Sequence, residues 1–317
     1  MKAITRVREA RNVFLTHISL YYLHCRNHTV TTTDQLLLTL RYYATGCMQI
    51  TAGDFTGVHQ TTAGKYIRRV TQALAAKRSQ YIKLPRTPEE QQQNQTGFYA
   101  IARFPLVSGA LDCTHIPIQS PGGPNAENFR NRKGYFSLNI QGLCTSELKF
   151  SDIVARWPGA SHDSTIFRNS RLCALFESGQ MGQQVILGDS GYPLKNYLLT
   201  PLQNPVTDAE KLYNESQIRT RNCIERVFGI WKRRFPVLSI GIRVKLEIAQ
   251  DIVVATAVLH NLCVHNGDEI PEISTDVDID LTGDPNPSQV QANNSQENFN
   301  LRRLGLINGY FTNLLTQ

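Results

Sequence analysis

Asp112, Asp189 and Glu225 are the residues of this chain whose type and setting could do chemistry together. Asp112 lies in VSGALDCTHIPI, a run rich in β-branched and apolar residues that predicts a buried strand, and Asp189 closes a second such run in VILGDSGYP. Glu225 sits in RNCIERVFGIWKRRF, where Ile224, Phe228 and Trp231 recur at steps of four and three, the spacing of one helix face. Two strands and one helix therefore each present a carboxylate. A carboxylate cluster is the side-chain set that Mg²⁺ demands, because that ion wants hard oxygen ligands. Two such ions a few Å apart can supply both the activated water and the charge acceptor that phosphodiester hydrolysis needs at neutral pH. A single acid at a strand end is more often a turn or cap residue, so the reading rests on all three and their order.

The elements that must position these acids can be traced along the chain. Residues 1–30 read as an amphipathic helix. In TTTDQLLLTLRYYATG, Thr33 or Asp34 can cap a helix with Leu36, Leu37, Leu40, Tyr43 and Ala44 on one face and Gly46 as its left-handed stop. A short segment from Ala52 to Thr56 breaks at Gly57. The helix that follows turns Ala63, Tyr66, Ile67, Val70 and Leu74 inward and Lys65, Arg68, Arg69 and Gln72 outward. Helix, glycine turn and a helix with a basic outer face form a helix-turn-helix pattern, in which the second helix can enter a major groove. Gly64 weakens that second helix by about 1 kcal/mol relative to alanine. Residues 85–105 read as a connecting segment with Pro85, Pro88 and a Gln-rich stretch, although Thr87 and Glu90 form a capping box that can restart a helix. Strands then follow over 106–118, 135–145 and 149–156, a helix over 161–177, a strand over 183–189, and helices over 208–234 and 246–264. That order predicts an α/β domain with a mixed sheet and helices on its faces. Beyond Asn266 an acidic linker leads to FNLRRLGLINGYFTNLL, which reads as a last helix docking back.

Composition bounds the alternatives. The chain has 317 residues, enough for one large or two ordinary domains, and 41% hydrophobic content suits a packed core. Its formal charge is +7, yet DEIPEISTDVDIDLTGD holds seven acids and no base, so the remainder carries twice that surplus and should favour a polyanion such as DNA. Seven cysteines stand singly with no CxxC pair, as expected of reduced thiols inside a cell. The sequence shows no apolar run that reads as a membrane span, which gives the expectation of a soluble intracellular protein without membrane contact. No run of five bases marks an import signal, WKRRF being the nearest. Two other motifs are set aside. Gly188-Asp189-Ser190-Gly191 echoes a serine-protease nucleophile, but Tyr192 stands where a further glycine is needed and no histidine and aspartate stand in the required upstream context. His260, Cys263 and His265 are bunched on one helix end without a partner pair, as core residues rather than a zinc site.

The motifs GALDCTHIPI, NRKGYFSLNIQGLC, WPGASHDSTIFRNS, VILGDSGYPL and NCIERVFGIWKRRFPVL, closed by Leu259-His260-Asn261, resemble the PIF/Harbinger group of DDE transposases, and in particular the Harbinger transposase-derived nucleases. LRYYATGCMQITAGDFTGVHQTTAGKYIRRV is similar to that family's N-terminal helix-turn-helix, with Gly64 where that helix usually carries a side chain. The resemblance implies an RNase H-like mixed sheet flanked by helices over 106–266, behind a helical, helix-turn-helix-like DNA-binding domain over 1–84. Residues 85–105 would connect the two and 267–317 would form an acidic linker and tail. It implies that Asp112, Asp189 and Glu225 are the catalytic acids and hold Mg²⁺, with Mn²⁺ able to substitute. Asp163 and His162, in the family's HDS motif, are expected to orient the metal ligands or to position DNA, and His115 to be either a core residue or turned to phosphate. Asp163 also suits the first turn of a helix on dipole grounds alone. The expected DNA contacts are Lys65, Arg68, Arg69, Arg132, Lys133, Lys232 and Arg233, with Asn131, Arg226 and Arg234 as further candidates for the phosphate backbone. The family also implies a nuclear protein, a separate Myb/SANT-like partner and a homodimer. The competing expectation is a domesticated protein that binds DNA or a partner and cleaves little or nothing.

Overall fold

Strand β1 (Val107–Pro117) is the spine on which the acids are arranged. It pairs antiparallel with β2 (Ser137–Cys144) and parallel with β4 (Val185–Leu187). Strand β3 (Phe150–Pro158) adds antiparallel to β2, and β5 (Leu198–Leu199) adds parallel to β4, so the order is β3-β2-β1-β4-β5. The computed structural model describes residues 30–268 and 301–316. The expected helix over 1–30, save its last residue, and most of the acidic stretch lie outside the described residues.

Successive strand residues face opposite sides, and β1 uses this to serve two cores. Leu111 packs with Leu143, Phe167, Leu172, Phe176 and Ile186 under the pair α6 (Asp163–Arg168) and α7 (Arg171–Glu177). Ala110 belongs to the larger core, where Phe150 meets Trp231 and His260 edge to face and Phe228 at a tilt. That core is built on α8 (Asp208–Arg234) and α10 (Leu246–His265), with the short α9 (Val237–Ile240) between them. The expected helix over 161–177 is thus two helices. Asn169 donates to the Thr165 carbonyl and Ser170 accepts from Cys173 N, so one helix ends and the next is capped within two residues. The two-residue β5 went unread because it is too short for any period.

The N-terminal region is helical as expected: α1 (Thr32–Thr45), α2 (Gln49–Asp54), α3 (Gln60–Ala75) and α4 (Arg78–Tyr81). Thr31 caps α1 and Gly46, at φ 60°, ends it. The turn from α2 into α3 depends on Gly53, where a β-carbon would come within 2.5 Å of the Val58 carbonyl oxygen. Gly64 faces α2, where a β-carbon would meet the movable end of the Gln49 side chain, Oε1, at 2.7 Å. Its cost to helix propensity accompanies a contact that the sequence alone does not reveal. These helices share the large core with the sheet: Tyr43 packs edge-on to Phe235, and no break in apolar packing falls at residue 84. Residues 88–102, expected as part of a connector, form helix α5 (Pro88–Ala102), which starts at the Thr87–Glu90 capping box read in the sequence. The last described segment docks back as predicted, with Phe311 against Phe104 and Tyr213.

Helix α10 corrects one expectation. By length and composition it could cross a membrane, yet 67% of its most apolar stretch is buried inside the protein, so it is the apolar core helix that both layers share. Its end is a polar clamp. Asn261 accepts from Phe150 N at 2.7 Å and donates to the carbonyls of Phe150 at 2.7 Å and Tyr81 at 2.8 Å, tying β3 to the end of α4. His260 is buried with Nε2–H donating to the Leu148 carbonyl at 2.8 Å, a core residue as read from the sequence, and Asn261 is structural beside it.

Burial pulls the His260 pKa down from its ordinary 6.5 to about 4. The folded protein therefore binds this proton more weakly than the unfolded chain, so its contribution is complete above pH 6.5 and is lost as pH falls toward 4. The shift corresponds to about 3 kcal/mol. Urea unfolding at a series of pH values is expected to show that decline, and His260→Gln, which can keep a donor toward Leu148, to flatten it. An unchanged slope in the variant would remove His260 as its source.

Candidate active site

Helix α8 carries a stripe that organises the site. A capping box at Thr207 and Glu210 starts it, and Lys232, Arg233 and Arg234 in its last turn complement its dipole. Gln217, Arg221 and Glu225 stand one turn apart on one face. Gln217 donates to the carbonyls of Gly188 at 2.8 Å and Leu199 at 3.2 Å, fixing the chain where β4 ends and Asp189 begins. Asp189 turns sharply, its Oδ1 accepting from Gly191 N at 3.1 Å. Arg221 reaches across to β1, donating from Nη1 to Asp112 Oδ2 at 3.1 Å and from Nη2 to Glu225 Oε1 at 2.7 Å. Arg221 thus joins two of the predicted acids, Asp112 and Glu225, while Asp189 stands near enough for the guanidinium charge to act on it.

A fourth carboxylate comes from the opposite layer. Asp163 opens α6, and Asn139 on β2 donates to its Oδ1 at 2.8 Å and to the Ser161 carbonyl at 2.9 Å. Burial pushes the Asp112 carboxyl up to about 7 even though Arg221 pulls it down, with Asp189 and Asp163 adding to the rise. Burial also raises Asp189, opposed by Arg221 and reinforced by Asp163 and Glu225. Asp112 and Asp189 thus each have their proton affinity raised by neighbouring acids, with Arg221 as the opposing positive charge.

The charged residues expected to meet DNA divide into two groups. Lys65 and Arg68 are exposed on α3 and Arg69 is half-buried beside them. Arg132 and Lys133 are exposed on the turn before β2, where Arg132 lies 3.2 Å from His162 Nδ1 at the head of α6. Asn131, by contrast, is buried, and its side chain accepts from Lys133 N and Tyr135 N and donates to Ser137; it shapes the turn and does not face solvent. Lys232 is also redirected, donating to Thr114 Oγ1 at 2.7 Å and to the His115 carbonyl at 3.1 Å, and burial draws its pKa down to about 8. It secures the far end of β1, while Arg233 and Arg234 are half-buried and Arg226 is exposed. His115 bonds Ser137 Oγ at 3.0 Å and is held below its ordinary pKa by burial, against the pull of Asp163.

Arg221, Gln217 and Asn139 went unread in the sequence. The one available signal was the spacing of Arg221, four residues before Glu225 on the same helix face. Among the described residues, no group of three or more His, Cys, Asp or Glu side chains is arranged to hold a metal ion. Arg221 instead occupies an oxygen of Asp112 and one of Glu225. The donor chemistry itself, several carboxylates on rigid elements, fits a hard divalent cation.

Residues 111–261 match the family described as DDE superfamily endonuclease, a span that opens one residue before Asp112 and closes on Asn261 of the clamp. The human protein named "Putative nuclease HARBI1" is 33% identical over 251 residues, covering 77% of this chain and 71% of that protein. Its Xenopus laevis counterpart of the same name is 29% identical over 252 residues, 78% of this chain and 72% of that protein. "Protein ALP1-like" of Arabidopsis thaliana is 25% identical over 255 residues, 74% of this chain and 61% of that protein. No solved structure matches the chain at a significant level.

Proposed function

The chain belongs to the DDE superfamily endonucleases as a relative of the Harbinger transposase-derived nucleases, and from that premise we propose that it cleaves DNA phosphodiester bonds with divalent metal. The observation that supports the reading is the joining of Asp112 on β1 to Glu225 on α8 through Arg221, with Asp189 at the end of β4 within reach of the same charge. A sheet of order β3-β2-β1-β4-β5 with its first three strands antiparallel supports an RNase H-like assignment of the nuclease domain.

In this mechanism Asp112, Asp189 and Glu225 would hold Mg²⁺ or Mn²⁺, whose chemistry when bound would be to activate water and to accept charge from the leaving oxygen. Gln217 fixes the Asp189 turn, Asn139 fixes Asp163 behind the ligands, and Lys232 holds β1 in place beside α8. Water is the nucleophile for hydrolysis, and a freed 3′-hydroxyl takes its place in strand transfer. The test is a labelled duplex incubated with and without Mg²⁺ or Mn²⁺. Metal-dependent nicking abolished by chelator is the expected result, and cleavage that persists in chelator would contradict it.

A second reading draws on the same guanidinium. With Arg221 neutralising the acids, the chain could serve as a DNA-binding protein with little cleavage; DNA binding without nicking at any metal concentration would favour it. In either reading α1 to α3 form a helix-turn-helix-like DNA-binding unit within 1–84, presenting Lys65 and Arg68, with Arg69, to one phosphate backbone. Arg132, Lys133 and Arg233 contact another, Lys232 only if it leaves β1. A nuclear location, a homodimer and a Myb/SANT-like partner belong to the same proposal.

Affinity for duplex DNA is expected to fall steeply with salt, and Lys65→Ala with Arg68→Ala to lower the slope of log affinity against log salt by about 0.9 for each phosphate contact removed. Filter binding or fluorescence anisotropy at several salt concentrations measures this. A slope unchanged in the double variant would place α3 away from the DNA.

A further inference from the structure

We propose that Arg221 is a positioning residue that competes with the divalent cation, holding Asp112 and Glu225 together until the cation takes them over. The proposal rests on the metal-dependent reading above and assigns a role to a residue outside the three acids. Arg221 is itself largely enclosed, with a side-chain exposure of 14% against 17% for Asp112 and 24% for Glu225. Its planar fork lets two different carboxylates be held at once in fixed relative orientation, which a lysine's point charge cannot do. The same charge also acts on the Asp189 carboxylate, so all three acids are under its influence. On the same face of α8, Gln217 one turn before reaches the end of β4 while Arg221 reaches β1.

A divalent ion binds carboxylate oxygens at about 2.0–2.6 Å. An ion at Asp112 Oδ2 or Glu225 Oε1 would meet the oxygens that Arg221 already uses and would be repelled by a guanidinium at 2.7–3.1 Å from them. Arg221 must therefore release at least one acid as the ion enters. Metal affinity is lowered by the hydrogen bonds given up, and in return the acids neither repel one another apart nor bind a stray cation.

Calorimetric titration of the full chain with MnCl₂, paired with thermal melts in chelator and in Mn²⁺, tests this. Arg221→Met is expected to bind Mn²⁺ about tenfold more tightly than the native protein, a change of about 1.4 kcal/mol. It is also expected to melt lower in chelator and to gain more from Mn²⁺, because the ion then replaces the missing charge. Arg221→Lys, which keeps the charge on a smaller donor, should fall between the two and carries the same comparison if the methionine variant does not fold. A folded variant whose Mn²⁺ affinity equals or falls below that of the native protein overturns the proposal; a purely structural arginine would lower stability without raising affinity. If the native protein binds Mn²⁺ and Asp189→Asn loses it while Arg221→Met gains nothing, only this inference fails. If none of the proteins binds Mn²⁺, the metal-dependent reading fails and takes the inference with it.

Discussion

Asp189→Asn is expected to lower metal-dependent DNA cleavage by a factor on the order of a thousand, equivalent to about 4 kcal/mol of barrier, without lowering the melting temperature. The two halves of that expectation have separate causes. An amide is a poorer ligand for a hard cation than a carboxylate, so the metal is weakened or misplaced. The fold, however, gains nothing from the negative charge at this position: burial disfavours it, and Asp163 and Glu225 add like-charge repulsion. The amide can still accept from Gly191 N, which preserves the turn. Nicking of a supercoiled plasmid measures the first half and thermal unfolding in chelator the second. Full activity in the variant would remove Asp189 from the reaction, and a large fall in melting temperature would make it a structural acid.

The largest effect on stability is expected at the opposite end of the large core. Asn261→Asp should destabilise the protein by about 3–5 kcal/mol at neutral pH, because a carboxylate would face the carbonyl oxygens of Phe150 and Tyr81 where the amide now donates. No neighbouring donor replaces what is lost except Phe150 N, which serves the other oxygen. The clamp joins α10, β3 and the end of α4, so the N-terminal helices should loosen with it. Chemical denaturation gives the magnitude, and hydrogen exchange over α3 and α4 gives the location. A change under 1 kcal/mol would mean that the three hydrogen bonds do not act as a clamp.

The parts of the fold that could be read from the sequence are those governed by local rules. Helix α8 begins and ends where its capping box, apolar period and basic last turn place it. β1 to β3 are visible as β-branched and apolar runs, and the docked segment around Phe311 as an amphipathic pattern. The parts that escaped depend on partners remote in the chain. Arg221 acquires its role only when α8 lies beside β1, 109 residues away in sequence. Lys232 and Asn131 look like surface cations and phosphate contacts until Thr114 and Ser137 are seen to satisfy them. Gly64 reads as a flaw in its helix, and Gly53 carries no signal in the sequence, until the Gln49 side chain and the Val58 carbonyl are seen beside them. The start of α5 is legible in the Thr87–Glu90 capping box, whereas its Gln-rich body has no apolar period to foretell that Phe98 and Asn94 bury it against the sheet layer.

The same distinction applies to the site. Asp112, Asp189 and Glu225 can be picked out as candidates by residue type and element, whereas their arrangement depends on Gln217 and Arg221. Asp163 was visible as a helix-opening acid, yet its orientation toward the site comes from Asn139, two strand positions away from the residue opposite Cys113. Residue types announced the chemistry, and long-range hydrogen bonds decided its geometry.

Anomalous scattering from crystals of the full chain soaked with Mn²⁺ tests the central claim most directly. The account predicts an anomalous peak in ligating range of Asp112, Asp189 and Glu225, with the Arg221 guanidinium moved off at least one of them. A peak absent at saturating Mn²⁺, or one bound away from these three carboxylates while Arg221 keeps both of its hydrogen bonds, would contradict it.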